Sequence, residues 1–211
     1  FAKAFYIAKS GRPGPVLIDI PKDVQFAKSI YKKKSDVTFK SHRIKSGSKD
    51  IERIFIEKLI DHIKKSTKPI FYVGGGCLNS GPKASKELIK LVHLTKIPIT
   101  TTLHGLGCYP AEDDKSLGML GMHGTYEANL AMNQCDLMVN IGARFDDRVT
   151  GRLDAFSPES IKFHFDIDKS SINKNVKVDY YTNTDITVSL KAINEYIESN
   201  QITFDSTQYD S

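Results

Sequence analysis

From residue 51 onward the apolar positions fall into two alternating rhythms. "IERIFIEKLIDHIKK" puts Ile51, Phe55, Leu59 and Ile63 four apart, which is one face of a helix. "PIFYV" (69–73) is a continuous apolar run of strand length, closed by Gly74, Gly75 and Gly76. "GPKASKELIKLVHLT" follows with Pro82 at a first helical position and Ala84, Leu88, Leu91 and Val92 on one side. The rhythm repeats: "IPITTTL" (97–103) predicts a strand and "YEANLAMNQ" (126–134) a short helix. "DLMVNI" (136–141), "IKFHFDI" (161–167) and "VKVDYY" (176–181) predict three more strands. The closing helix is "ITVSLKAINEYIES", with Ile186, Leu190, Ile193 and Ile197 aligned. Continuously apolar strands separated by helices predict an α/β fold, a doubly wound parallel sheet covered on both faces.

The first fifty residues read differently. A short helix over 1–9 meets the turn "SGRPGP", and "VLIDI" (16–20) predicts a buried strand ended by Pro21. Residues 28–50 are polar and rich in Lys and Ser, the composition of a linker, and "QITFDSTQYDS" at the end reads the same way. The chain starts without Met and has no signal-peptide layout. It reads as a helix entering a strand, as though continued from a longer chain.

Composition narrows the function classes. With 40% hydrophobic and 26% charged residues, the 211-residue chain can bury a substantial core. The net charge of +5 is dispersed, and its densest run, "YKKKSD", has no aromatic partners, so no nucleic-acid footprint is indicated. No apolar run is long enough to suggest a membrane span. Cys77, Cys108 and Cys135 are odd in number and lack C-x-x-C spacing, which favours a reducing cytoplasm over disulfides or zinc.

In open α/β sheets ligands bind beyond the carboxyl ends of the strands. "VGGGCLNSG" offers backbone that a ligand can approach closely and N–H groups for anionic oxygens. It does not fit G-x-G-x-x-G, because Asn79 interrupts it. "TTTLHGLGCYP" brings Thr101, Thr102 and Leu103, equally readable as plain strand formers. "GMLGMHGTYEANLAM" sets Met122 and His123 among Gly118, Gly121 and Gly124 just before a helix, which tips the reading toward a ligand. "LMVNIGARFDDRVTGR" carries Arg144, Asp146, Asp147, Arg148 and Arg152 past a strand. Arg144 and Arg148 would share a face if the segment turned helically. Charge pattern alone leaves phosphate or carboxylate binding and a self-neutralising surface loop both open. "FHFDID" ends in Asp166 or Asp168, either suited to ribose hydroxyls. No nucleophile–base arrangement, paired-carboxylate spacing or metal-ligand cluster stands out, and His42, His62, His93 and His164 lack partner spacing.

"GRPGPVLIDIPKDV", "YVGGGCLNSG", "TTLHGLGCYP", "LGMLGMHGTYEANLAMNQCDLMVNIGARFDDRVTGR" and "FHFDID" resemble, in order and spacing, the catalytic large subunit of the acetolactate synthase (acetohydroxyacid synthase) family of thiamine-diphosphate enzymes. The "ARFDDR" block favours this family over glyoxylate carboligase, oxalyl-CoA decarboxylase or flavin-free catabolic acetolactate synthases. The resemblance implies a Rossmann-like central domain over 45–200 that binds FAD as a structural cofactor. Residues 1–27 would be the end of a pyrimidine-binding domain, 28–44 a linker and 201–211 the start of another.

The same resemblance implies the site residues. Arg12 would contact the flavin nucleotide, Gly74, Gly75 and Gly76 the dinucleotide backbone, and Thr102 and Leu103 would line it. Gly121, Met122 and His123 would lie along the flavin, continued by Gly142, Arg144, Asp146 and Val149. Asp166, Ile167 and Asp185 would hold the adenosine end. Arg148 would recognise the second 2-ketoacid and Lys22 would line the substrate channel. The family often has Gly before its Asp185 equivalent, where this chain has Thr184, and some relatives have Glu in place of Asp166. The activating Glu for thiamine diphosphate and the Mg2+-binding motif belong to domains this chain does not match, so no catalytic or metal residue is expected here and the chain alone should catalyse nothing. The resemblance also implies 2-ketoacid substrates, a homodimer or homotetramer, a small regulatory subunit, and a cytoplasmic or, in a eukaryote, organellar setting. The competing expectation is a stand-alone nucleotide-binding or regulatory module.

Overall fold

The structure is a computed structural model that describes residues 1–30, 51–205 and 209. The linker expected over 28–44 lies outside the described residues beyond residue 30, as do residues 45–50 and most of the tail past 205. The chain separates into two compact units, Phe1–Ser46 and Gly47–Ser211.

In the first unit, α1 (Ala2–Lys9) forms where the apolar spacing predicts it, and a second helix, α2 (Lys22–Phe26), follows Pro21. The strand expected over 16–20 does not form. Those residues have no regular structure and are exposed, Leu17 to 93%. An apolar run becomes a strand only when a partner supplies the ladder for its N–H and C=O groups. Among the described residues this unit holds no other strand.

The second unit is built on six parallel strands: β1 (Pro69–Val73), β2 (Ile99–Thr101), β3 (Ser116–Met119), β4 (Leu137–Ile141), β5 (Ile161–Phe165) and β6 (Tyr180–Thr182). Their order across the sheet is β3-β2-β1-β4-β5-β6. It is the doubly wound parallel sheet that the pattern predicts, in the strand order of dinucleotide-binding folds. β2 and β6 are shorter than their apolar runs. β3 was not legible as a strand: Gly118, at φ +81°, puts a bulge in it, so Ile99 pairs with Ser116 but Thr101 with Met119.

Successive residues on a strand point to opposite faces, and the two layers differ. Phe71, Val73, Val139, Ile141, Phe163 and Phe165 face a core made with α3 (Arg53–Lys65), α5 (Pro82–Thr95) and α8 (Ile186–Ser199). Leu59, Ile63, Leu88, Val92, Leu190 and Ile193 are the helical side of that core, each buried to 1% exposure or less. Burying each such side chain contributes roughly 1.5–3 kcal/mol, which fixes these helices on the sheet. The opposite face buries Ile70, Tyr72, Met138, Ala143, Phe145 and Phe156 under one helix, α6 (Tyr126–Gln134), and irregular chain. Two shorter helices, α4 (Gly75–Asn79) and α7 (Asp147–Thr150), follow β1 and β4. No helix among the described residues is long and apolar enough to cross a membrane.

Candidate functional site

Because all six strands run the same way, their carboxyl ends share one edge. The chain departs in opposite directions after β1 and after β4, the switch point beside which open α/β sheets bind their ligands. The candidate residues of the second unit all sit on this edge. Gly74, Gly75 and Gly76 follow β1; Thr102 and Leu103 follow β2; Gly121, Met122 and His123 follow β3. Gly142, Arg144, Asp146, Arg148 and Val149 follow β4; Asp166 and Ile167 follow β5; Asp185 follows β6. Residues spread over more than a hundred positions are thus gathered by topology alone.

The β1 and β4 loops press directly against each other. The Gly74 N–H donates to the Ile141 carbonyl at 2.9 Å and the Gly76 N–H to the Gly142 carbonyl at 3.0 Å. A Cβ on Gly74 would stand 2.4 Å from the Gly142 oxygen, so no other residue fits. The N–H groups of the glycine run are therefore not all open to a ligand. Two of its three N–H groups are spent on loop-to-loop contact, and the lack of side chains at Gly74 and Gly76 serves backbone packing.

Thr102 donates its N–H to the Val73 carbonyl at 2.9 Å, and its hydroxyl accepts from Gly105 at 3.1 Å, capping a single 3-10 turn, Leu103–Gly105. Leu103 is left 66% exposed at the edge. After β3, Asn129 of α6 holds Gly121 at both ends, accepting its N–H at 3.2 Å and donating to its carbonyl at 3.1 Å. The Met122 N–H then donates to the Arg148 carbonyl at 3.0 Å, which ties the β3 loop to α7. The Met122 side chain is 66% exposed, and His123 beside it is exposed too.

The β4 loop alternates strictly. Ala143 is buried, Arg144 exposed, Phe145 buried and Asp146 partly exposed. Asn140, itself 0% exposed, fixes the start of the loop by donating to the Ala143 carbonyl at 2.7 Å and accepting its N–H at 3.0 Å. Phe145 adopts φ +53°, and its ring lodges edge-on against Phe156 and His164 and tilted against Tyr72. The segment is therefore not helical before Asp147, and Arg144 and Arg148 do not share a helical turn. Arg144 is instead ion-paired with Asp146. The Arg148 N–H, then neighbouring Asp147 and the Arg144 guanidinium, hold the Asp146 carboxyl below the usual carboxylate range against the opposing effect of burial. Burial, with Asp146 adding to it, pushes the Tyr72 phenol up. Val149 packs against the core beneath, Arg148 and Asp147 are exposed, and Arg152 is occupied by a two-pronged pair with Asp154 at 2.8 Å.

Beyond β5, Asp166 is 8% exposed. One carboxylate oxygen accepts the Asp168 N–H at 2.8 Å and the other lies 3.6 Å from His164 Nε2. Both ring nitrogens of buried His164 lack a hydrogen-bond partner among the described residues. Ile167 is half-buried. Asp185 caps α8 through the Thr187 N–H at 2.8 Å and accepts from the Ser80 hydroxyl at 3.2 Å, so its carboxylate is engaged within the protein. Thr184 is fully buried and its hydroxyl meets that of Thr182 at 2.6 Å. Arg12 and Lys22 belong to the first unit: Arg12 is exposed in the turn after α1, and Lys22 is the exposed first residue of α2. Sequence reasoning passed over Asn140, Asn129 and Phe145. Only Asn140 carried a signal, as the one polar residue inside an apolar strand.

The profile of "Thiamine pyrophosphate enzyme, central domain" matches residues 56–193. The chain is 44% identical over 197 residues to the chloroplastic acetolactate synthase of Arabidopsis thaliana, covering 93% of this chain and 29% of that protein. It is 43% identical over 199 residues to the chloroplastic acetolactate synthase 2 of Nicotiana tabacum, covering 94% and 29%, and 42% identical to acetolactate synthase 2 of Brassica napus, covering 96% and 31%. The chain spans about three tenths of the length of these curated relatives. A six-stranded parallel sheet in dinucleotide-binding order and a profile match over most of the second unit agree: the chain belongs to the thiamine pyrophosphate enzyme family, of which it carries the central domain.

Proposed function

We propose that this chain is the FAD-binding segment of an acetolactate synthase. The whole protein would condense two pyruvates to 2-acetolactate and CO2, or pyruvate with 2-ketobutyrate, with thiamine diphosphate and Mg2+ held by parts outside this chain. The observation that carries the reading is the convergence of residues from all six strand ends on one edge. That the relatives are acetolactate synthases supports the activity, and that they are chloroplastic supports an organellar setting.

The chemistry of that edge suits a flavin dinucleotide. A diphosphate needs a cation, and Arg144 is 57% exposed on its side chain with Asp146 to orient it. A flat apolar ring needs apolar cover, and Leu103 and Met122 each stand 66% exposed. Ribose hydroxyls need an acceptor, for which Asp166 is placed past β5. Asp185 fits less directly, since its carboxylate already accepts from Thr187 and Ser80. Bound FAD would serve as a structural cofactor that braces the strand-end loops. Arg148, exposed on α7, would meet a 2-ketoacid carboxylate bidentately. A homodimer or homotetramer and a small regulatory subunit complete the proposal for the whole protein.

The test is to purify the full-length protein that contains this chain, extract its flavin, and assay acetolactate from pyruvate with and without added thiamine diphosphate and Mg2+. Stoichiometric FAD and thiamine-dependent acetolactate are expected. Turnover in fully flavin-free protein would remove the FAD assignment, and an absence of acetolactate in fully loaded protein would remove the activity.

A further inference from the structure

The β4 loop owes its shape to a contact from elsewhere in the chain. Phe145 is held at φ +53°, a backbone region unfavourable for a residue with a side chain. Its ring is 1% exposed among Tyr72, Phe156 and His164, so the interior sets where the ring goes. The ring does not set the orientation of the peptide that follows. That peptide's carbonyl accepts from the Asn175 side-chain amide at 2.8 Å, thirty positions away on the connection between β5 and β6. Asn175 is itself firmly presented: the Asn173 side chain accepts the Val178 N–H at 2.9 Å, and Val176 is buried in the same core as Phe145.

We propose that Asn175 is a positioning residue for the strand-end site. Its amide fixes the Phe145 carbonyl, and through that peptide the direction in which Asp146 leaves the loop toward its ion-pair partner Arg144. The inference rests on the dinucleotide reading above for its ligand, but its structural half stands without it. With the amide in place, the left-handed residue is locked and Asp146 is aligned to cap α7 through the Arg148 N–H at 3.2 Å. Without it, the Phe145 carbonyl loses its partner and the Phe145–Asp146 peptide is free to rotate, and Asp146, with its ion pair to Arg144, moves with it.

The experiment compares the full-length protein that contains this chain with its Asn175→Ala and Asn175→Ser variants. Hydrogen exchange is followed at residues 146–151 without ligand, and FAD affinity by flavin fluorescence. Losing one hydrogen bond to a backbone carbonyl should speed exchange there roughly three- to tenfold, weaken FAD by a similar factor, and lower the unfolding midpoint by no more than the few degrees that factor implies. Asn175→Ser keeps a donor and should recover part of both effects. Arg144→Ala should weaken FAD without altering exchange. Unchanged exchange in Asn175→Ala overturns the inference, and so does a loss of affinity that Asn175→Ser fails to recover while the midpoint falls by more than about 10 °C. If no form binds FAD but the exchange difference is present, the flavin reading fails and the positioning role is supported.

Discussion

Asn140 is the most exacting place to perturb the fold that carries the site. It sits mid-sheet on β4, fully buried, and its side chain answers both backbone groups of Ala143, which is 3% exposed. Asn140→Leu keeps a side chain branched at the same carbon but leaves an N–H and a C=O with no partner and no route to water. Each orphaned group costs about 1–3 kcal/mol, so a loss of roughly 2–6 kcal/mol is expected. For a domain of this size that lowers the thermal midpoint by roughly 4–24 °C. Urea unfolding followed by circular dichroism measures it directly, with an unchanged m-value confirming that the native state is still compact. Asn140→Asp adds a sharper check. Its carboxylate would face the Ala143 carbonyl, whereas the protonated acid reproduces both bonds of the amide. Burial and that contact raise its folded pKa, so its stabilising contribution is present in the protonated form and lost as pH rises. The variant should therefore gain on the wild type between about pH 7 and about pH 5. A cost below about 1 kcal/mol for Asn140→Leu, or a pH-independent Asn140→Asp deficit, would refute the assignment of these bonds as what fixes the β4 loop.

Three further outcomes are expected. Gly74→Ala puts a Cβ 2.4 Å from the Gly142 carbonyl oxygen and should cost on the order of 3 kcal/mol or more, read as a fall in the unfolding midpoint; a neutral variant would show that the two loops separate readily. At the opposite edge of the sheet, burial alone would raise the Asp136 carboxyl. Bonds from the Ser66 hydroxyl, the Thr67 N–H and hydroxyl and the Lys68 N–H outweigh it and bring the carboxyl below its usual value of 3.8. A depressed value means stability that is present above the unfolded pKa and lost as pH falls through the lower folded one, so the gap between wild type and Asp136→Asn should close in acid, as a urea series across pH would show. Cys77, Cys108 and Cys135 are free and buried, so thiol titration should be slow in the native chain and complete in denaturant; rapid labelling of any one would contradict its burial.

What could be read from the sequence divides along a physical line. Parallel strands buried on both faces and the long amphipathic helices declare themselves by period, which is why β1, β4, β5, α3, α5 and α8 were all foreseen. β3 was not, because a bulge at Gly118 and half-exposed side chains erase its period. The run over 16–20 failed for the opposite reason, being strand-like in composition with no strand beside it among the described residues. At the site, charge and glycine patterns marked the right loops, since a strand-end position is visible wherever its strand is. What the glycines do there was not visible. Gly74 and Gly142 meet across a distance of 68 positions, and Phe145 in a left-handed backbone has no signature in "ARFDDR". Asn175 acts across the fold, and no local pattern marks it.

The claim on which the rest depends is that the carboxyl edge of this sheet holds a dinucleotide, and a hydrogen-exchange footprint of the chain with and without saturating FAD tests it most directly. Protection should appear at residues 102–105, 121–124, 142–149 and 166–168, leave the opposite edge at 66–68 and 136 unchanged, and vanish in Arg144→Ala at the same FAD concentration. Protection confined to the opposite edge, or none at any FAD concentration, would contradict it.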